Sequence, residues 1–255
     1  MRASVPHPSH PGGQVTWGRR AVRLGLVCVA AGRGRRFGGD KLQQRLGCGS
    51  VLEVALRALV TACPDAALVV VVAPEDVTTW RDRLGPEFPG SLWLPGGARR
   101  QDSVRAGVEA AAELGCDVVC VHDAARPLVR AEDVRTVVAA LADADGAILC
   151  QRVTDTVKRV DGAGMVFSTI PREELRLAST PQVFRVAALR SAWGRLGGSG
   201  EWTDEAALLE AVGLAVQTVV ARWPNPKLTT PEDLPLLRAL AGSPDDRSVT
   251  AGAGR

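Results

Sequence analysis

Leu24-Gly25-Leu26-Val27-Cys28-Val29-Ala30 is an unbroken apolar run, and Ala31-Gly32-Arg33-Gly34-Arg35-Arg36 follows it at once. A continuous run without polar alternation is the pattern of a strand covered on both faces, as parallel strands are. Glycines at the end of such a strand let a backbone approach a phosphate, and the arginines supply charge to meet it. Strand-like runs recur at Ala67–Ala73, Ser91–Leu94, Asp117–His122, Gly146–Gln151 and Ala215–Ala221. Helical periodicity covers Val51–Thr61, Pro74–Leu84, Asp102–Leu114, Glu132–Ala142, Val186–Leu196, Asp204–Val212 and Pro231–Leu240. The βαβ succession predicts a three-layer α/β/α, Rossmann-like, mostly parallel sheet.

One segment breaks the rhythm. Asp161-Gly162 marks a hairpin turn between strand-like Asp155–Val160 and Met165–Ile170, so a β-arm is expected at about 152–179, inserted in a single domain spanning 22–242. Residues 1–20 are rich in Pro, Gly, His and Ser and are expected to be a disordered leader, with a flexible tail at 243–255. Arg19-Arg20 before the first apolar run imitates an export signal. Cleavage near Ala31 would destroy the Gly-rich turn, so no signal is assigned and the run is read as a strand. No run reaches the ~18 apolar residues of a membrane span.

The chain has 255 residues, 46% hydrophobic and 23% charged, enough to bury a core without disulfides or metals. A formal charge of +3 is no footprint of a nucleic-acid binder, and neither nucleic acid nor membrane is expected as a partner. The six cysteines form no C-x-x-C pair and read as free thiols in a reducing cytoplasm. With histidines only at 7, 10 and 122, a zinc site or a Ser-His-Asp triad would depend on His122, which reads as a strand-end packing residue. Of 31 basic residues only Lys41, Lys158 and Lys227 are lysines, compact point charges among planar arginine forks.

The Gly-rich loop leading to Lys41 is not a P-loop, because Leu42 follows the lysine, nor a dinucleotide fingerprint, because Phe37 stands at the third glycine position. Gly96-Gly97-Ala98-Arg99-Arg100-Gln101-Asp102-Ser103 opens a helix. Free N–H groups and a hydroxyl there can read a base edge or an anion, or simply cap the helix. His122-Asp123-Ala124-Ala125-Arg126-Pro127 ends a strand, where α/β sheets place ligands, and Asp123 is a natural Mg²⁺ ligand beside a nucleoside triphosphate. Asp155-Thr156-Val157-Lys158, Arg172, Thr180-Pro181-Gln182, Thr203-Asp204-Glu205 and Asn225-Pro226-Lys227-Leu228-Thr229 each read singly as turn or cap chemistry. All three lysines nevertheless fall inside these segments.

Taken in order, the segments resemble the 2-C-methyl-D-erythritol 4-phosphate cytidylyltransferase family of the non-mevalonate isoprenoid pathway, over about Leu24 to Leu240. A-A-G-x-G-x-R is matched at Ala30–Arg36, G-G-x-x-R-x-x-S at Gly96–Ser103 and H-D-A-A-R-P at His122–Pro127. D-T-x-K is matched at Asp155–Lys158, T-P-Q at Thr180–Gln182, T-D-E at Thr203–Glu205 and N-x-K-x-T-x-P-E-D-L at Asn225–Leu234. The departures are Asp40 before the loop lysine, where it is expected to draw on the charge of Lys41, together with Ala98 and Pro226. No cyclodiphosphate-synthase domain is expected after Leu240.

The resemblance implies a nucleotidyltransferase-type sheet with its inserted arm. It implies Arg36, Lys41, Arg172 and Lys227 as catalytic residues, and Ala30, Ala31, Gly32, Gly34, Gly97, Ser103 and Ala124 around CTP. It also implies Arg126, Thr156, Thr180 and Thr203 around a polyol phosphate, and Mg²⁺ or another divalent cation on Asp123. The arm would make a homodimer in which Thr156 and Arg172 complete the partner's site. The same fold and chemistry with ribitol 5-phosphate or another polyol phosphate stays open at this stage, since acceptor choice depends on a few side chains around Thr180 and Thr203. A nucleotide-binding regulatory protein without turnover also stays open.

Overall fold

The structure is a computed structural model that describes residues 14–17, 20–32, 34, 36–197 and 200–242. Its centre is strand β2 (Arg20–Ala30), which contains the apolar run Leu24–Ala30. Parallel neighbours flank it, β5 (Ala67–Val72) on one side and β7 (Val118–Asp123) on the other. Beyond β5 lies β6 (Leu92–Pro95). Beyond β7 come β11 (Arg176–Arg185), β8 (Gly146–Arg152) and β12 (Val216–Val220), giving the order β12-β8-β11-β7-β2-β5-β6.

Side chains on β2 point alternately to the two faces, and both faces are covered. Leu24, Leu26 and Cys28 pack with Leu52, Leu56 and Leu59 of α1 (Val51–Ala62) and Val134 and Val137 of α4 (Ala131–Ala140). Val27, on the opposite face, packs with Val104 and Val108 of α3 (Arg100–Glu113), Leu189 of α5 (Val186–Leu196) and Leu209 of α6 (Glu205–Glu210). Burial on both sides is why the run carries no polar alternation.

Several expectations need correction. The strand β11 is absent from the sequence reading; it runs antiparallel to both β7 and β8, while the other pairings along the sheet are parallel, so the sheet is mostly parallel as expected. Its Pro181 reads as a strand breaker, but it falls where the ladder to β8 is interrupted between Ala178 and Gln182, so its missing N–H costs no regular bond. Within the expected leader, Gln14–Trp17 forms β1, antiparallel to the start of β2; residues 1–13 and the tail 243–255 lie outside the described residues. Pro74–Asp76 is a 3-10 turn ahead of α2 (Val77–Leu84). α3 starts at Arg100, two residues before Asp102. The last helix, α7 (Asp233–Ala241), starts after Pro231 because the Asp233 carboxylate accepts the N–H groups of Thr229 and Thr230, both at 2.8 Å. Arg45–Leu46 (β3) and Gly49–Ser50 (β4) make a small hairpin before α1, whose Ser50 and Glu53 form a reciprocal cap.

The arm is present as an antiparallel hairpin of β9 (Val157–Val160) and β10 (Val166–Ile170). Its apolar side chains are exposed, Met165 by 68% and Phe167 by 61%.

Candidate active site

The strand order reverses at β2. The chain steps outward from β2 to β5 and β6, then returns to the other side as β7. The carboxyl ends of β2 and β7 therefore part around a crevice, the usual ligand position in open α/β sheets. Register fixes what faces it: Val29 on β2 lies opposite Asp123 on β7. The crevice is a cleft of about 370 Å³ lined by Val29, Ala30, Ala31, Gly32, Gly34, Arg36, Lys41, Leu42, Gly97, Arg99, Arg100, Ser103, Asp123, Ala125, Lys227 and Thr229. Among the described residues, Asp123 is the one carboxylate in that lining, against five cationic side chains.

Two turns form one wall. After β2, Gly34 adopts φ +56°, a left-handed conformation in which a side chain would meet the Gly39 carbonyl oxygen at 2.8 Å. After β6, the Gly96 N–H donates to the Val72 carbonyl at 2.7 Å. The buried Ser103 hydroxyl accepts the Gly97 N–H at 3.0 Å and donates to the Arg99 carbonyl at 3.3 Å. The turn is held by its own side chains before any ligand arrives.

The cations are placed by longer connections. The segment carrying Lys227 is tied across the β7–α4 turn: the Leu228 N–H donates to the Ala125 carbonyl (2.8 Å), and Asn225 Oδ1 accepts the Leu128 N–H (3.1 Å). Lys227 Nζ then donates to Asp123 Oδ2 at 2.6 Å. Lys41 Nζ donates to the Leu228 carbonyl at 3.1 Å. Burial, reinforced by the ammonium of Lys227, pushes the Lys41 ammonium below the usual lysine value. Burial alone would raise the Asp123 carboxyl, but Arg100 and Lys227 outweigh it and hold it well below the usual carboxylate range.

Asp40 does not draw on Lys41 as its position suggested. Its carboxylate accepts the N–H groups of Leu42 (3.0 Å) and Gln43 (3.3 Å) and the Gln43 side-chain amide (2.8 Å), and so shapes the turn that carries the lysine.

The structure brings Ala30, Ala31, Gly32, Gly34, Arg36, Lys41, Gly97, Ser103, Asp123 and Lys227 together around one cleft. The other expected site residues are not in the lining of this cleft. The Ala124 N–H is engaged by the Val29 carbonyl at 3.0 Å, and Ala125 lines the cleft instead. Arg126 donates to the Asn225 carbonyl at 2.9 Å. The buried Thr180 hydroxyl accepts the Asp123 N–H and meets His122 Nδ1, both at 3.1 Å, while His122 Nε2 reaches the Arg126 carbonyl at 3.0 Å. Both nitrogens of His122 are thus occupied, and burial pushes its pKa down to about 4, so it is a neutral packing residue. Thr203 is exposed just before α6. Thr156 and Arg172 are exposed on the arm, with the Arg172 guanidinium on the Thr154 carbonyl.

Arg100 and Glu205 were missed as site residues. The motif spacing of Gly96–Ser103 contains the first and T-D-E the second, but nothing local shows that they meet. Arg100 Nε donates to Asp123 Oδ1 at 3.0 Å, and its Nη1 to both oxygens of Glu205 at 3.0 Å.

A cation-lined crevice at the point of strand reversal, walled by Gly-rich turns, is the arrangement of nucleotidyltransferase-type α/β proteins, and this chain is of that class. The sequence profile of IspD, 2-C-methyl-D-erythritol 4-phosphate cytidylyltransferase, matches residues 24–242, and the chain belongs to that family. A relative in Chromohalobacter salexigens, named 2-C-methyl-D-erythritol 4-phosphate cytidylyltransferase, is 41% identical over 238 residues, covering 89% of this chain and 94% of its own. The bifunctional enzyme IspD/IspF of Rhodospirillum rubrum is 42% identical over 238 residues; the match covers 91% of this chain and 60% of that protein. Among solved structures, the 2-C-methyl-D-erythritol 4-phosphate cytidylyltransferase of Thermus thermophilus superposes with a TM-score of 0.67 at 34% identity, covering 85% of this chain and 98% of that one. The 4-diphosphocytidyl-2C-methyl-D-erythritol synthase of Anaerococcus prevotii superposes at 0.74 with 25% identity, covering 85% and 96%.

Proposed function

We propose that the chain transfers a cytidylyl group from CTP to 2-C-methyl-D-erythritol 4-phosphate, giving 4-diphosphocytidyl-2-C-methyl-D-erythritol and pyrophosphate, a step of isoprenoid precursor synthesis. The observation that carries the reading is the gathering of Arg36, Lys41, Asp123 and Lys227 in one cleft between two Gly-rich turns. A phosphate oxygen of the acceptor attacks the α-phosphorus of CTP, forming a new P–O bond as the bond to the pyrophosphate oxygen breaks. Both reactants are anions, so the barrier lies largely in charge repulsion and positioning. Arg36 and Lys41 stabilise negative charge building on the α-phosphate. Lys227 holds the acceptor phosphate together with Arg172 of the partner subunit. The Ala30–Gly32 and Gly97–Ser103 turns form a narrow slot that favours a pyrimidine over a purine. No general base is needed, because the attacking phosphate is already ionised, which agrees with a His122 occupied at both nitrogens.

Asp123 would hold Mg²⁺ or another divalent cation. Its Oδ2 already faces a cationic group, the Lys227 ammonium, at 2.6 Å, so the position suits positive charge. No cluster of three or more potential ligand side chains occurs among the described residues, which fits an ion completed by phosphate oxygens and water. When bound, such an ion neutralises phosphate charge and orients the oxygens for in-line displacement.

The arm supports a homodimer. A two-stranded hairpin is marginal by itself, and Val160, Met165, Val166 and Phe167 leave this one with an apolar surface that a second copy would cover. A cytoplasmic location fits six free cysteines, and no helix among the described residues is long and apolar enough to cross a membrane. Pyrophosphate release from CTP, measured with each candidate acceptor, tests the whole reading. Dependence on methylerythritol phosphate is expected. Dependence on ribitol 5-phosphate would move the activity to another acceptor, and silence with every acceptor would leave a binding protein.

A further inference from the structure

We propose that Arg100 and Glu205 form a positioning pair that fixes the plane of the Asp123 carboxylate, so that Oδ2 is turned to the cationic position occupied by the Lys227 ammonium. A carboxylate is costly to bury unless it is paired, and both Asp123 and Glu205 are buried, at 7% and 3% exposure. Glu205 does not line the cleft, so contact with substrate does not account for it. Among the described residues its charged partner is Arg100, whose fork reaches Glu205 with Nη1 and Asp123 with Nε, all at 3.0 Å. A planar guanidinium spans two carboxylates in a way an ammonium does not. Holding Oδ1 of Asp123 sets the plane of that carboxylate and leaves Oδ2 facing Lys227.

The far end of the pair is anchored in turn. Glu205 is the first residue of α6, next to the cap residue Asp204. Asp204 Oδ1 accepts the Ala207 N–H at 3.0 Å, and its Oδ2 accepts the buried Gln182 side-chain amide of β11 at 2.9 Å. The chain β11–Asp204–Glu205–Arg100–Asp123 therefore fixes one oxygen of the carboxylate that would take a cation. The pair acts through Asp123 rather than on a reacting atom. For its activity readout the inference rests on the cytidylyl-transfer reading; for its binding readout it does not.

Full-length Glu205→Gln and Arg100→Lys test it. Mn²⁺ binding in the presence of CTP is followed by paramagnetic resonance. CTP binding without metal is followed by calorimetry, and the cation concentration giving half-maximal turnover by pyrophosphate release. Removing a group that orients a metal-binding side chain typically weakens the metal by about 10-fold or more. Mn²⁺ affinity and the half-maximal cation concentration should both shift that far in Glu205→Gln, and in the same direction in Arg100→Lys. In Glu205→Gln, whose residue lies outside the cleft lining, metal-free CTP affinity should stay within about twofold. Unchanged Mn²⁺ affinity in a folded Glu205→Gln protein overturns the proposal. So does a parallel fall of Mn²⁺ affinity, CTP affinity and thermal midpoint, or failure of both variants to fold, since each marks a purely structural pair. A wild-type protein that binds Mn²⁺ with CTP but turns over no acceptor removes the proposed function and leaves the positioning pair standing on its binding data.

Discussion

Gly96→Ala should separate the two turns that wall the cleft. A methyl group at this position would stand 2.2 Å from Ala31 Cβ, 2.8 Å from Ser103 Oγ and 3.3 Å from the Val72 carbonyl oxygen. Carbon atoms settle at about 3.5–4.0 Å, so Ala31 and residue 96 must part by roughly 1.3 Å or more. Neither side yields by rotating a side chain. Ala31 Cβ moves only with its backbone, and the Gly96 N–H is held by Val72. The displacement therefore falls on the Ala30–Gly34 and Gly97–Ser103 walls. Overpacking of this kind costs about 1–3 kcal/mol. Expressed as lost CTP binding, the middle of that range is about tenfold or more. Calorimetric CTP titration together with a thermal midpoint measures both parts. The double variant Ala31→Gly/Gly96→Ala removes the atom at 2.2 Å and should recover most of the affinity. Gly162→Ala, where an added Cβ meets nothing within 4 Å, should change neither quantity. A Gly96→Ala protein that binds CTP within about twofold of wild type, or a double variant no better than the single one, would refute the steric argument.

Lys41→Ala should mainly lower kcat, by roughly 10²-fold or more, as loss of a preorganised electrostatic donor does; Lys227→Ala should also raise KM for the acceptor phosphate. Equal and small effects on steady-state kinetics at both positions would remove them from the site. Mixing inactive Arg172→Ala with inactive Lys41→Ala protein under subunit exchange should restore activity, because a heterodimer with shared sites keeps one site intact; exchange without recovery excludes a shared site. His122 should make the metal-free protein acid-labile. Its folded pKa of about 4 lies below the ordinary 6.5, so between those values the unfolded chain binds a proton that the folded one does not. Stability is then complete above pH 6.5 and falls as pH drops toward 4, by about 3 kcal/mol. Denaturant titrations across that range, with the His122 ring signals followed by NMR, measure it, and a ring titrating near its ordinary value would disprove the assignment.

Much of the fold was legible from local pattern. β2, β5, β7 and β8 announce themselves because a strand buried on both faces must be apolar throughout, and each lies within a residue or a few of its expected bounds. The arm is legible because Asp161-Gly162 sits between two β-prone runs, the Gly-rich turns because each follows a strand directly, and Asp123 because it ends one. β11 was not legible. Its polar, proline-containing sequence becomes a central strand only because β7 and β8, distant in the chain, supply its hydrogen bonds.

Which groups carry charge, which turns lack side chains and which family the ordered motifs resemble are all readable along the chain. Which of those groups meet depends on the folded sheet. Lys227 reaches Asp123 across 104 residues, Arg100 reaches Glu205 across 105, and Lys41 reaches the Leu228 carbonyl across 187. The fold also turned His122, Thr180 and Arg126 inward to hold the end of β7 and left Asp40 shaping a turn rather than pairing with its neighbour. The physical reason is range. Propensity, capping and hydrophobic period act over a few residues, whereas an ion pair in a cleft depends on strand order and register, which form only when the whole sheet is assembled.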